Sequence, residues 1–166
     1  ATRISSALNV RDVKDGLPGS YRLLIAPTLE EARELAQHLW EKNKIRQENI
    51  HKIVDYTEQQ IGAKQEEVLV FEEIPDAEYV LLGAAASVLS NNYNKPIFLF
   101  KDREDEFLGS ARAPGGYDTV KAMESVEELL STYGGHPPAS GFRFKKENKE
   151  KFKEGLATYF KTHGQS

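Results

Sequence analysis

The chain of 166 residues is 39% hydrophobic and 29% charged, a balance that fits one soluble globular domain with a single substantial core. It has no cysteine, which excludes a disulfide framework and a thiolate zinc site, and no run reaches the ~20 apolar residues of a membrane span. A net charge of −4 works against bulk attraction to nucleic acid, so any anion-binding surface must be local. Asp15-Gly16 and Pro18-Gly19 are turn signals in the first segment. Tyr21 to Ile25 suits a short helix or a strand on pattern alone. Thr28 and Glu31 then form a capping box, and nothing breaks a helix from there to about Ile61. Leu29, Ala32, Ala36, Leu39, Ile50 and Ile53 keep one face of it apolar. Such a helix would be about 50 Å long, more than one small domain covers. It is expected to bridge two bodies or to pair with a second copy, with Leu29, Leu39, Ile50 and Ile53 as the contacts. Gly62 ends it.

A compact α/β stretch follows. Val68 to Phe71 reads as a strand, and Ala77 to Asn91 as an alanine-rich helix whose Gly83 to Ala86 allow close packing on a sheet. Ile97 to Phe100 is a continuous apolar run, expected as a central strand buried on both faces. Asp102 to Asp105 is a charged turn, and Glu106 to Ala113 a strand hairpinned onto its predecessor. Asp118 caps a helix expected through Leu130, with Met123 and Val126 inward. Phe142 to Phe144 is a short strand, and Lys146 to Thr162 an amphipathic helix burying Phe152, Leu156, Tyr159 and Phe160. The fold expected is therefore α/β: a long N-terminal helical segment over 1–62, then a small mixed β-sheet packed with helices over 63–166.

Two stretches carry chemistry. Gly109-Ser110-Ala111-Arg112 reads as a strand end with a hydroxyl and a guanidinium on one face, a pairing suited to an oxyanion because arginine offers a fork of donors. Tyr133-Gly134-Gly135-His136-Pro137-Pro138-Ala139-Ser140-Gly141 reads as a bare, stiffened loop with a histidine at its centre. Its exposed backbone N–H groups suit a phosphate or a nucleotide edge. For each stretch the plain alternative is a turn or strand edge with an ordinary surface side chain.

In this order and separation, the two stretches resemble the accessory, substrate-binding domain of the DHH phosphoesterases, and most closely the RecJ-like subgroup. The resemblance covers almost the whole chain. Arg3 to Ala7 is similar to the segment by which RecJ-like proteins leave their catalytic domain. Glu31 to Ala36, through Arg46-Gln47, resembles their connecting helix, and Lys95-Pro96-Ile97 the start of a core strand. The resemblance implies helix for Tyr21 to Ile25. It also implies that Ser110, Arg112, Gly134, Gly135, His136 and Ser140 grip phosphate and a terminal nucleotide. Departures are visible: Ser5, Leu8 and Asn9 stand where the subgroup has Asn, Gly and Arg, and Glu78-Tyr79-Val80 stands where it often has His-x-Gly.

No catalytic or metal-ligating set is legible, since His38, His51, His136 and His163 are dispersed and no Asp-His-His pattern accompanies them. Paired carboxylates such as Glu72-Glu73 read as solvated surface. The resemblance therefore implies a substrate-binding half, with Mn²⁺ or Mg²⁺ held by a DHH catalytic domain elsewhere in the same protein. The implied substrate is single-stranded nucleic acid or a short oligonucleotide, and the implied context is DNA repair. Alternatives within the same resemblance are an inactive replication or repair scaffold and a dinucleotide phosphodiesterase. The absence of a leader pattern sets the expected location as cytoplasmic, and a start at Ala1 suits a fragment of a longer chain.

Overall fold

The computed structural model describes residues 10–62 and 67–164. The Arg3 to Asn9 segment, with its three departures, lies outside the described residues. The chain divides into two compact units, Ala1–Asn49 and Ile50–Ser166, and the division falls inside one long helix.

In the first unit, β1 (Val13–Lys14) and β2 (Leu17–Pro18) form a two-residue hairpin. Asp15 and Gly16 make its turn with φ of 53° and 78°, the conformation that Asp-Gly adopts most readily. α1 (Gly19–Leu24) follows, so Tyr21 to Leu24 is helical. α2 (Leu29–Ile61) then runs for 33 residues. The N–H of Glu31 donates to Thr28 Oγ1 at 3.2 Å, which is the forward half of the capping box. Leu39 is fully buried on this helix because Gly19 leaves room for it: a Cβ there would lie 2.7 Å from Leu39 Cδ2.

In the second unit, a five-stranded sheet has the order β3-β4-β5-β7-β6. The strands are β3 (Val70–Glu73), β4 (Ile97–Arg103), β5 (Glu106–Arg112), β6 (Leu130–His136) and β7 (Ala139–Lys145). β3 and β4 are parallel and joined by α3 (Tyr79–Tyr93), while the other pairings are antiparallel. α4 (Thr119–Glu124) and α5 (Lys149–His163) complete the unit.

The period of two along β4 sorts the core. Ile97 and Leu99 join α3 and the Ile50 to Ile61 end of α2 on one face. Phe98 and Phe100 join Phe71, Phe142, Phe144 and Phe152 on the other, against Met123 and Leu156. The rings meet mostly tilted or edge-on, as at Phe144 and Phe152 with centroids 4.9 Å apart. Ile97 to Phe100 is thus buried on both faces, as its apolar run requires.

Three expectations are corrected. The Gly-Gly-His stretch is not a loop. It is the end of edge strand β6, paired to β7, and only Pro137 and Pro138 turn the chain. The helix capped by Asp118 stops at Glu124, because a 3₁₀ turn (Glu127–Leu129) turns the chain and Leu130 is already paired in β6. The apolar face of α2 is largely covered by this chain itself: Leu39, Ile50 and Ile53 are 0%, 4% and 5% exposed, and only Leu29 of the four expected contacts is open. Among the described residues no helix is long and apolar enough to cross a membrane.

Candidate functional site

β5, β7 and β6 bring the two motifs together. Arg112 of β5 is opposite Ala139 of β7, which is opposite His136 of β6. The next row on that face is Ser110, Gly141 and Gly134. Directly opposed residues share a sheet face, so Ser110, Arg112, Gly134 and His136 stand on one face with Ala139 and Gly141 between them. Arg112 and His136 are two strand spacings apart, about 10 Å.

This face is the one that α3 partly covers. The Arg112 guanidinium lies over Gly83, where a Cβ would come within 2.6 Å of Nη2. A bare helix position is what admits the arginine. Nη1 donates to Ala111 O at 2.8 Å, which fixes the fork. Burial pulls the guanidinium pKa below its usual value, opposed by the nearby Tyr79, and arginine stays charged regardless. Among the described residues no carboxylate pairs with Arg112. Beside it the sheet is nearly bare. Gly134 is exposed with nothing within 4 Å of where its Cβ would stand, and Gly141 and Ala139 are half-buried. Ser110 is 9% exposed, at the inner edge of this floor, and His136 is exposed at its outer edge.

Gly135 and Ser140 oppose one another on the other face. Gly135 has φ of 138°, and a Cβ there would lie 2.5 Å from Ala139 O. Ser140 is buried, with its Oγ 2.7 Å from Thr119 Oγ1. Thr119 Oγ1 and the Thr119 N–H both donate to Pro137 O at 2.9 Å. A hydroxyl has one proton, so Ser140 donates to Thr119. These two residues hold the hairpin rather than face the floor.

Sequence reasoning missed Tyr79, the first residue of α3. Its hydroxyl lies 3.6 Å from the point a Cβ on Gly141 would occupy, above the same floor. Only its place in the Glu78-Tyr79-Val80 departure singled it out. Among the described residues no three His, Asp or Glu side chains converge as cation ligands. The site's chemistry is therefore hydrogen bonding and charge neutralisation.

Residues 65–162 match the model of the DHHA1 domain. The chain belongs to the DHHA1 domain family. It is also RecJ-like: it is 30% identical over 132 residues to the single-stranded-DNA-specific exonuclease RecJ of Bacillus subtilis. That match takes in 76% of this chain but 16% of the Bacillus protein. Among solved structures, RecJ from Thermus thermophilus in complex with Mg²⁺ superposes with a TM-score of 0.76 at 26% identity, over 89% of this chain and 23% of that one. An exonuclease RecJ bound to manganese gives a TM-score of 0.71 at 27% identity, over 85% of this chain and 35% of that one. The chain thus spans less than a quarter of the Bacillus RecJ sequence.

Proposed function

We propose that residues 63–166 are the substrate-gripping domain of a RecJ-like single-strand-specific exonuclease, working with a DHH catalytic domain of the same protein that would hold Mn²⁺ or Mg²⁺. The observation that carries this reading is the half-buried guanidinium of Arg112, without a carboxylate partner among the described residues, beside a floor stripped of side chains. A cation taken partly out of water is costly unless an anion meets it. A phosphate is the anion whose geometry its fork matches. Ser110 offers a hydroxyl on the same row system, and Gly134 and Gly141 let a sugar or base approach the backbone. His136, about 10 Å from Arg112, reaches the far side of a bound nucleotide rather than the same phosphate. The contribution is orientation and charge neutralisation of a strand presented to chemistry located elsewhere.

Titration of a short 5′-phosphorylated single strand against the wild type, Arg112→Ala, His136→Ala and the double variant tests this. Arg112→Ala should cost on the order of 1.5–3 kcal/mol of binding. It should also flatten the salt dependence by about one phosphate's worth. Contact with one shared nucleotide makes the double loss non-additive. Binding that ignores both substitutions would leave this face without a role and favour a scaffold.

A further inference from the structure

Tyr79 is 38% exposed, and its hydroxyl, rather than its ring edge, is the part that reaches over Gly141. Gly83 lies one helical turn further along α3, so the two positions share the face turned toward the sheet. The same face thus seats the Arg112 guanidinium on Gly83 and aims a phenolic O–H at the floor beside it. The two groups are close enough to interact electrically. Among the described residues the Tyr79 hydroxyl has no hydrogen-bond partner. A purely packing aromatic has no use for a hydroxyl placed there, since ring burial alone would do the same work.

We propose that the Tyr79 hydroxyl donates a hydrogen bond to the phosphate that Arg112 neutralises, making this residue a determinant of selectivity for phosphate-ended strands. The inference rests on the reading that this floor receives the end of a nucleic-acid strand, and adds which chemical group is selected there. The charged fork supplies attraction to any phosphate. The phenol, fixed on a separate element, adds a direction that only an oxygen held above Gly141 satisfies.

Tyr79→Phe keeps the ring and removes the donor. Wild type and variant would be titrated with one short deoxyoligonucleotide in three forms: 5′-phosphorylated, 3′-phosphorylated and unphosphorylated. The expected result is about a tenfold loss on a phosphorylated form, the size of one hydrogen bond to a charged group, with little change on the unphosphorylated strand. Whichever phosphorylated form shows the loss identifies the end that is held. Equal losses on all three forms would mean that the hydroxyl meets a group common to every strand rather than the terminal phosphate, and no loss would mean the hydroxyl faces only solvent. Either overturns the proposal while leaving the domain's binding role intact. Wild-type protein that binds none of the three strands would instead bring down the binding role itself, and the proposal with it.

Discussion

Gly134 and Gly135 are neighbours in β6, but their missing side chains would point to opposite faces and meet different surroundings. At Gly134 an added Cβ has nothing within 4 Å, whereas at Gly135 it would press against Ala139 O at 2.5 Å with φ of 138°. Gly134→Ala should therefore fold as well as the wild type, since alanine also restricts the unfolded chain. Its methyl group would rise from the floor between Gly141 and solvent and weaken binding of a single strand. Gly135→Ala should cost on the order of 1–3 kcal/mol of stability through backbone strain, before the contact with the carbonyl is counted. Urea unfolding beside a binding titration separates the two. Equal stability for both variants would mean that the β6–β7 hairpin relaxes around the added atom.

Elements whose causes are local were legible in the sequence. Thr28 and Asp118 announce helix starts because a side-chain oxygen meets an orphan N–H, and both caps form. Ile97 to Phe100 announces a central strand because both faces must be apolar. β6 was not legible, because Leu130 to His136 lies on the sheet edge, largely exposed, and has no alternation to betray a strand. The same difficulty sorted Ser140 wrongly with the floor: face is set by register, and register is fixed only by pairing with β7. The first unit has its own local device, which composition did not reveal. Asp12 is 8% exposed and bonded by Arg22 of α1 and Lys42 of α2, with His38 Nε2 3.4 Å away. The hydrogen bond from Lys42 is the largest influence and holds the carboxyl below its ordinary value, against desolvation, with His38 and the charges of Lys42 and Arg22 adding to it. A depressed folded pKa means that the unfolded chain binds the proton more readily. The stability that Asp12 contributes is then full above the ordinary aspartate value of about 3.9. It is lost as pH falls through the lower folded value. Trp40, the single tryptophan, lies on α2 in this unit and reports on it. Acid titration of its fluorescence should show a transition below pH ~4 that moves upward in Lys42→Met. A midpoint unmoved by that substitution would mean that Asp12 does not hold α1 to α2.

For the whole molecule, the distribution of open apolar residues matters more than the length of α2. Val13, Leu17, Tyr21, Leu24, Ile25 and Leu29 are all exposed, with Leu24 at 79% and Leu29 at 68%. They fall within one short run of chain, while Leu39, Ile50 and Ile53, expected from periodicity to be open, are covered. A 3.6-residue repeat says which residues share a helix face, but not which part of that face the chain itself will cover. Exposed apolar side chains in this number call for a cover. The chain spans 16% of the Bacillus RecJ with which it aligns, so the cover in a longer protein would be a part that these residues do not include. Without it, the chain should self-associate through this run as its concentration rises. Multi-angle light scattering across a dilution series would show a mass above that of one chain at the upper end. The double variant Leu24→Asp, Leu29→Asp should restore the single-chain mass without unfolding the protein, because both side chains are exposed and make no part of either buried cluster. A wild type that stays monomeric throughout would mean that the run is tolerated in water. An associating wild type whose mass the double variant leaves unchanged would move the contact elsewhere, with Trp40 and Ile45, 41% and 57% exposed, as the next residues to change.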